Sequence, residues 1–291
     1  MQKTLDLSIK RKEIGSTNGG YISPSGRIYQ SYMDNVDWCE FVRNMDPRAY
    51  ENFDCGAGGE LKAKGDYPPK MASWGSSSRM LYNLVQKLSV DNFEFEHKLD
   101  TMVGGVANLD GFVEKDDSLI FVEAKCREIY GGKSRGIKSV YYDLYEFISA
   151  DPSNNLSISS VVSDDVMKVK YFTELGEITC FDLKQMICHL LAIATDIIKN
   201  PTKKKIRFLY LCFNPNYIDI IDLEKSNKIT HTYNKMCSEC RSIDFKSLFL
   251  SVYRYLVKNF YGSENCDELM ASSVDFSFEL CDQSNFGEKI R

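Results

Sequence analysis

The chain has 291 residues, 43% of them hydrophobic and 26% charged, with a formal net charge of −5. That is ample for a full hydrophobic core in one large domain or one domain with additions, and no apolar run approaches the roughly 18 residues of a membrane helix. The acidic balance does not favour a protein whose whole surface grips nucleic acid, but it is compatible with an acidic centre bordered by a local basic rim.

Residues 1–30 are polar, with Lys, Ser and Gly and no sustained period, and read as an irregular arm. The start Met1-Gln2-Lys3-Thr4-Leu5-Asp6-Leu7 lacks an apolar signal segment, so a cytoplasmic location is expected. Residues 31–262 read as a single α/β domain, and residues 263–291 as an extension that packs on it or frays from it. Within the domain, Asp34 to Met45 is predicted helical, with Asp34 as N-cap and Val36, Cys39, Phe41 and Val42 on an apolar face. The glycine-rich stretch Cys55 to Leu61 lacks both the Gly-Lys-Ser/Thr ending of a phosphate loop and a preceding strand, so it is not read as a nucleotide site.

A second helix is predicted from the cap residues at Ser76, with Met80, Leu81, Leu84, Val85 and Leu88 at helical spacing. Strict alternation over Asn92 to Leu99 then signals a strand. Two further β-rich runs, Val106 to Glu114 and Leu119 to Lys125, flank the polar tetrad Lys115-Asp116-Asp117-Ser118, a hairpin signal. Symmetrical closure makes Leu119 face Glu114, Phe121 face Phe112 and Glu123 face Asp110. That register gathers Leu109, Gly111, Val113, Ile120, Val122 and Ala124 on one core-facing side. Asp110, Phe112, Phe121, Glu123 and Lys125 share the other side. Two carboxylates directly opposite in an antiparallel pair destabilise a sheet unless something compensates them. A Mg²⁺ ion would, because it takes one or two carboxylates and keeps its other positions for water and phosphate oxygens.

The residues here resemble a known pattern. Asp110, twelve intervening residues and then Glu123-Ala124-Lys125 is similar to the D-(x)n-E-x-K signature of the PD-(D/E)XK nuclease superfamily, although Leu109 stands where a Pro often precedes the Asp. The stretches around Gly59-Glu60-Leu61, Lys70-Met71 and Ser76 to Arg79 also resemble a bacterial restriction-endonuclease-like branch. The resemblance implies a restriction-endonuclease-like αβββαβ core, a mixed central sheet flanked by helices, with helical additions at the N- and C-termini. It implies that Asp110 and Glu123 are metal ligands for Mg²⁺ or Mn²⁺ and that Lys125 positions the attacking water. It further implies a nuclease acting on phosphodiester bonds, on DNA rather than RNA, with a homodimer as one arrangement. Many members add a helix glutamate to the metal; here Glu60 or Glu96 would have to supply it. The alternative is a catalytically silent nucleic-acid- or protein-binding module on the same fold.

Beyond Lys125, the basic segment containing Arg127, Lys133, Arg135 and Lys138 reads as a loop beside this site, and Lys199 to Arg207 as a second basic run. Ser139 to Ser149 is predicted helical and Asp151 to Asp165 a polar loop or insertion. The clearest helix is Phe181 to Lys199, ended by Asn200-Pro201. It carries Gln185, at a place where some branches of the superfamily have a glutamine followed four residues later by tyrosine; position 189 is His. His189, like His97, reads as a core or boundary histidine rather than a ligand. Ile206 to Phe213 reads as a strand buried on both faces, and a further strand is placed at Tyr217 to Leu223. The ten cysteines read as reduced thiols; Cys237-Ser238-Glu239-Cys240, with His231 and either Cys266 or Cys281, would be the only zinc candidate, against two buried thiols on a helix. Residues 243–260 are predicted to form an amphipathic helix and Val274 to Leu280 a last strand before a frayed end.

Overall fold

In Ile206 to Phe213 apolar side chains point to both sides, and so they do in Ile120 to Ala124, which only a strand between two packed layers can satisfy. A computed structural model describes residues 20–29, 31–56, 59–126, 136–163, 166–215, 223–262 and 274–291, and it places both runs at the centre of a five-stranded sheet. Strands β3 (Glu94–Asp100), β4 (Val106–Glu114) and β5 (Ser118–Lys125) form an antiparallel meander, and β9 (Lys205–Cys212) runs parallel to β5. β10 (Phe276–Cys281) adds a parallel edge strand, so the expected α/β architecture with a mixed sheet is what the chain adopts.

Helices cover both faces. On one side lie α4 (Tyr142–Ala150), α5 (Leu183–Lys199), α6 (Leu223–Arg241) and α7 (Phe245–Phe260), packed on Phe121, Ile206, Phe208 and Tyr210. On the other lie α1 (Asn35–Arg43), α2 (Pro47–Cys55) and α3 (Ser77–Leu88), packed with Ile120, Val122, Ala124, Leu209 and Leu211. A small three-stranded sheet, β6 (Ser157–Ser163), β7 (Val166–Thr173) and β8 (Gly176–Ile178), joins the first core through Met167, Val169, Tyr171 and Ile178. Among the described residues no helix is long and apolar enough to cross a membrane.

Local chemistry explains most boundaries. Asp34 caps α1 by accepting from the Val36 and Asp37 amides, and Ser76 caps α3 by accepting from Arg79 N. The left-handed Ser89 ends α3. Asp182 caps α5 through Gln185 N. The hairpin closes in the expected register near its turn, with Lys115 N donating to Ser118 O and Glu114, Val113, Phe112 and Gly111 opposite Leu119, Ile120, Phe121 and Val122, but the expected pairing of Asp110 with Glu123 is not part of the ladder.

Four expectations need correction. Trp38, not Val36 or Cys39, is the buried residue of α1; both of those are exposed. The segment expected to be a loop from Asp151 contains β6, whose Ser-rich sequence hides a strand that only its pairing with β7 stabilises. The last residues do not fray: α8 (Phe286–Lys289) buries Phe286 and Ile290 against the α3 side of the sheet. Leu109 packs with the α5 core instead of sharing a face with Val113 and Ile120. The strand expected from Tyr217 lies outside the described residues, except that Leu223 begins α6. The arm is described only in part: Tyr21–Ile22 (β1) and Ile28–Tyr29 (β2) pair as a short hairpin.

Candidate metal and phosphate site

The displacement of Leu109 has a local cause that also builds the site. Glu96, in the middle of β3, has φ of 53°, a left-handed conformation uncommon for a residue with a side chain. One such residue inverts the alternation of a strand. Phe95 accordingly packs on the α3 side, while Leu99 packs on the α5 side. The regular pairing of β3 with β4 skips the Glu96–Asp110 position, with Phe95 opposite Gly111 and His97 opposite Leu109.

On its other edge β4 also lets go of β5 at this point. Regular pairing ends at Gly111 with Val122, and Asp110 Oδ2 accepts the Ala124 amide at 2.7 Å. The carboxylate thus takes over a donor that would otherwise seek a strand partner. Burial, and next the charge of Glu123, push the Asp110 carboxyl well above its ordinary pKa; Lys125 and the Ala124 amide act in the opposite direction.

Glu123 is only 2% exposed. It lies on β5 opposite Tyr210 of β9, and alternation from Phe121 points it at the α5 layer. Its Oε1 is 2.6 Å from Lys125 Nζ and accepts from Gln185 Nε2 at 2.8 Å. Its Oε2 has no hydrogen-bond partner and stands 3.4 Å from His189 Nδ1, itself without one. Lys125 shares the face of Glu123 because it lies two residues along the strand, while Ala124 between them is buried in the opposite core.

Gln185 and His189 come from one side of α5, four residues apart, which is why both reach the same carboxylate. The start of that helix is anchored from α6. The buried Glu239 carboxylate accepts from the amides of Thr179, Cys180 and Phe181 at 3.0, 2.7 and 2.8 Å, and from the Thr179 hydroxyl at 3.1 Å. Burial lowers the His189 pKa, so its imidazole is neutral near pH 7. His189 is the site residue that sequence reading set aside; its signal was the four-residue spacing from Gln185.

The remaining candidates are distributed around this centre. Glu60 is buried and its Oε1 meets Lys70 Nζ at 3.2 Å. Burial, then the charge of Glu60, raises the Glu96 carboxyl to about 7, with Glu123 adding to the rise. Glu96 lies close against Gly56, where an added Cβ would stand 3.0 Å from Glu96 Oε2. Among the described residues no three His, Cys, Asp or Glu side chains gather tightly enough to enclose an ion by themselves. Arg127, Lys133 and Arg135 lie outside the described residues. The second basic run does not border the site: Lys205 pairs with Ser118, five residues before Glu123, which at about 3.3 Å per residue is roughly 17 Å away. Arg207 is committed to Glu279 and Lys204 to Glu114. His97 stacks on Phe112 and pairs with Glu94. Cys237 and Cys240 are buried thiols on α6, and Cys266 lies outside the described residues.

The donor set suits a hard divalent cation. Asp110 and Glu123 offer carboxylate oxygens, and Glu123 Oε2 is a buried acceptor with nothing to accept from. Comparison with known proteins finds no matching family model, no matching curated protein and no matching solved structure.

Proposed function

We propose that this protein is a divalent-metal-dependent phosphodiesterase acting on nucleic acid, with DNA as the first substrate to test. The observation that carries the reading is that Asp110, at the end of the β4–β5 ladder, accepts the backbone amide of Ala124, the residue between Glu123 and Lys125, whose buried carboxylate and ammonium stand 2.6 Å apart. With α4 and the small sheet β6–β8 set aside as an insertion between β5 and α5, the order α3, β3, β4, β5, α5, β9 supports it as well, since it follows the αβββαβ order that the resemblance to the PD-(D/E)XK superfamily implies.

In this reading Asp110 and Glu123 would hold the cation, which when bound supplies Lewis acidity toward a phosphoryl oxygen and toward water. Two protein carboxylates suffice, because such an ion completes its shell with water and substrate oxygens. Lys125 orients the attacking water and stabilises the charge that grows on the phosphoryl oxygens. Gln185 fixes Glu123 Oε1 by donating to it, so the carboxylate cannot rotate away. Lys138 and Lys184, the latter donating from Nζ to Gly136 O at 2.7 Å, both act on Cys188, one turn along α5 from Gln185, and would bring positive charge to this end of the site.

The test is cleavage of plasmid DNA, linear DNA and RNA by the full chain with Mg²⁺ or Mn²⁺. Asp110→Asn and Lys125→Ala are each expected to lower the rate by about 100- to 1000-fold. Cleavage by Asp110→Asn at the wild-type rate refutes the assignment.

A further inference from the structure

Two atoms of the site are left over once Lys125 and Gln185 have been assigned. Glu123 Oε2 and His189 Nδ1 belong to side chains only 2% and 3% exposed, and neither has a hydrogen-bond partner. They face each other at 3.4 Å. A direct charge-assisted bond would bring nitrogen and oxygen to about 2.7–2.9 Å. An uncompensated buried polar atom costs about 1–3 kcal/mol, and here two of them point at one another.

Two ligands each about 2.1 Å from one ion at a tetrahedral angle stand about 3.4 Å apart. We infer that Glu123 Oε2 and His189 Nδ1 are two ligands of one divalent cation, and that the site therefore takes an ion accepting nitrogen as well as oxygen, from the first transition row, in preference to Mg²⁺. The inference deepens the proposed function and rests on it for the presence of a cation at Glu123.

Two features of the packing support it. The other oxygen of Glu123 is already held by Lys125 and Gln185, which turns Oε2 toward the helix. The Glu239 clamp on the amides of residues 179–181 holds the start of the helix that carries His189. Oxygen ligands alone suit Mg²⁺, whereas an imidazole in the set favours later first-row ions.

The experiment uses Mn²⁺, which is hard enough to leave the chain's free thiols alone. Binding to the full chain is measured by calorimetry, and the bound Mn²⁺ by electron spin-echo modulation, which reports a directly coordinated nitrogen. Wild type is expected to show nitrogen modulation. His189→Gln is expected to lose it and to bind Mn²⁺ roughly 10- to 100-fold more weakly, with Mg²⁺ binding altered by less than about threefold. Bound Mn²⁺ without nitrogen modulation in the wild type overturns the inference and leaves the nuclease reading standing. The spectrum of the wild type decides even if the variant fails to fold. Nitrogen-coupled Mn²⁺ with no cleavage of any nucleic acid sinks the nuclease reading alone, and no binding of either ion sinks both.

Discussion

Lys125→Met removes the ammonium that stands 2.6 Å from Glu123 Oε1 while keeping a chain of similar length to fill its place. Glu123 is 2% exposed, so its charge cannot turn to bulk water, and Gln185 is left as its hydrogen-bond donor. Breaking a buried ion pair by removing one partner costs about 3–5 kcal/mol, because the surviving charge is uncompensated. Against a total stability of about 5–15 kcal/mol for a domain, that is a large fraction, readable as a drop in the urea midpoint with an unchanged slope. The companion variant Glu123→Gln/Lys125→Met removes both charges and is expected to lie within about 1 kcal/mol of wild type, since neutralising a buried pair is often nearly neutral. The reading of the site adds a second expectation: Mn²⁺ at 100 times its Kd should return about 2.7 kcal/mol to the single variant and nothing to the double. A single variant within about 1 kcal/mol of wild type, or a double variant no better than the single, refutes the argument that Glu123 is a buried charge held by Lys125.

Two further outcomes test the elements that build the site. A Cβ on Gly111 would lie 2.1 Å from Phe93 Cζ and 2.4 Å from its Cε1, so Gly111→Ala is expected to cost about 1–3 kcal/mol in thermal or urea melts, and Phe93→Ala in the same chain should remove most of that increment. An additive double variant would show that the ring does not rest on this backbone. The Glu96 carboxyl, raised from 4.5 to about 7, is protonated in both folded and unfolded chains at low pH and ionises first in the unfolded chain as pH rises. Metal-free stability is therefore lost between about pH 4.5 and 7 and stays lost above; at about 1.36 kcal/mol per pH unit the rise amounts to at most about 3 kcal/mol. Glu96→Gln should flatten that part of the profile, and an unchanged difference between pH 5 and pH 8 counts against the burial of this carboxyl as its cause.

Much of the frame was legible because it depends on neighbours in the chain. The β4–β5 hairpin register follows from alternation and a polar turn, and Lys115 to Ser118 closes it as that pattern requires. The same alternation puts Glu123 and Lys125 on one side and Ala124 on the other. The double-sided burial of β9 was visible in its unbroken apolar run, and the extent of α5 in its stripe and caps. Glu123-x-Lys125 and Gln185 were likewise within reach, since each belongs to an element whose period is written locally.

What only the tertiary structure decided involves residues far apart in sequence. The inversion of β3 at Glu96 cannot be read from alternation, because the left-handed backbone is held there by packing on both sides, with Phe95 on one core and Leu99 on the other. It moves Leu109 to the α5 side and sets Asp110 at the break in both ladders. β6 carries little apolar signal and exists through its partner β7, while β10 becomes part of the main sheet by pairing with β9, some 70 residues earlier. His189 looked like a core histidine because a helix position alone does not tell what lies across the interface. That a buried carboxylate oxygen 66 residues earlier faces its ring is a property of how α5 docks on β5, and docking is set by the whole core rather than by either segment.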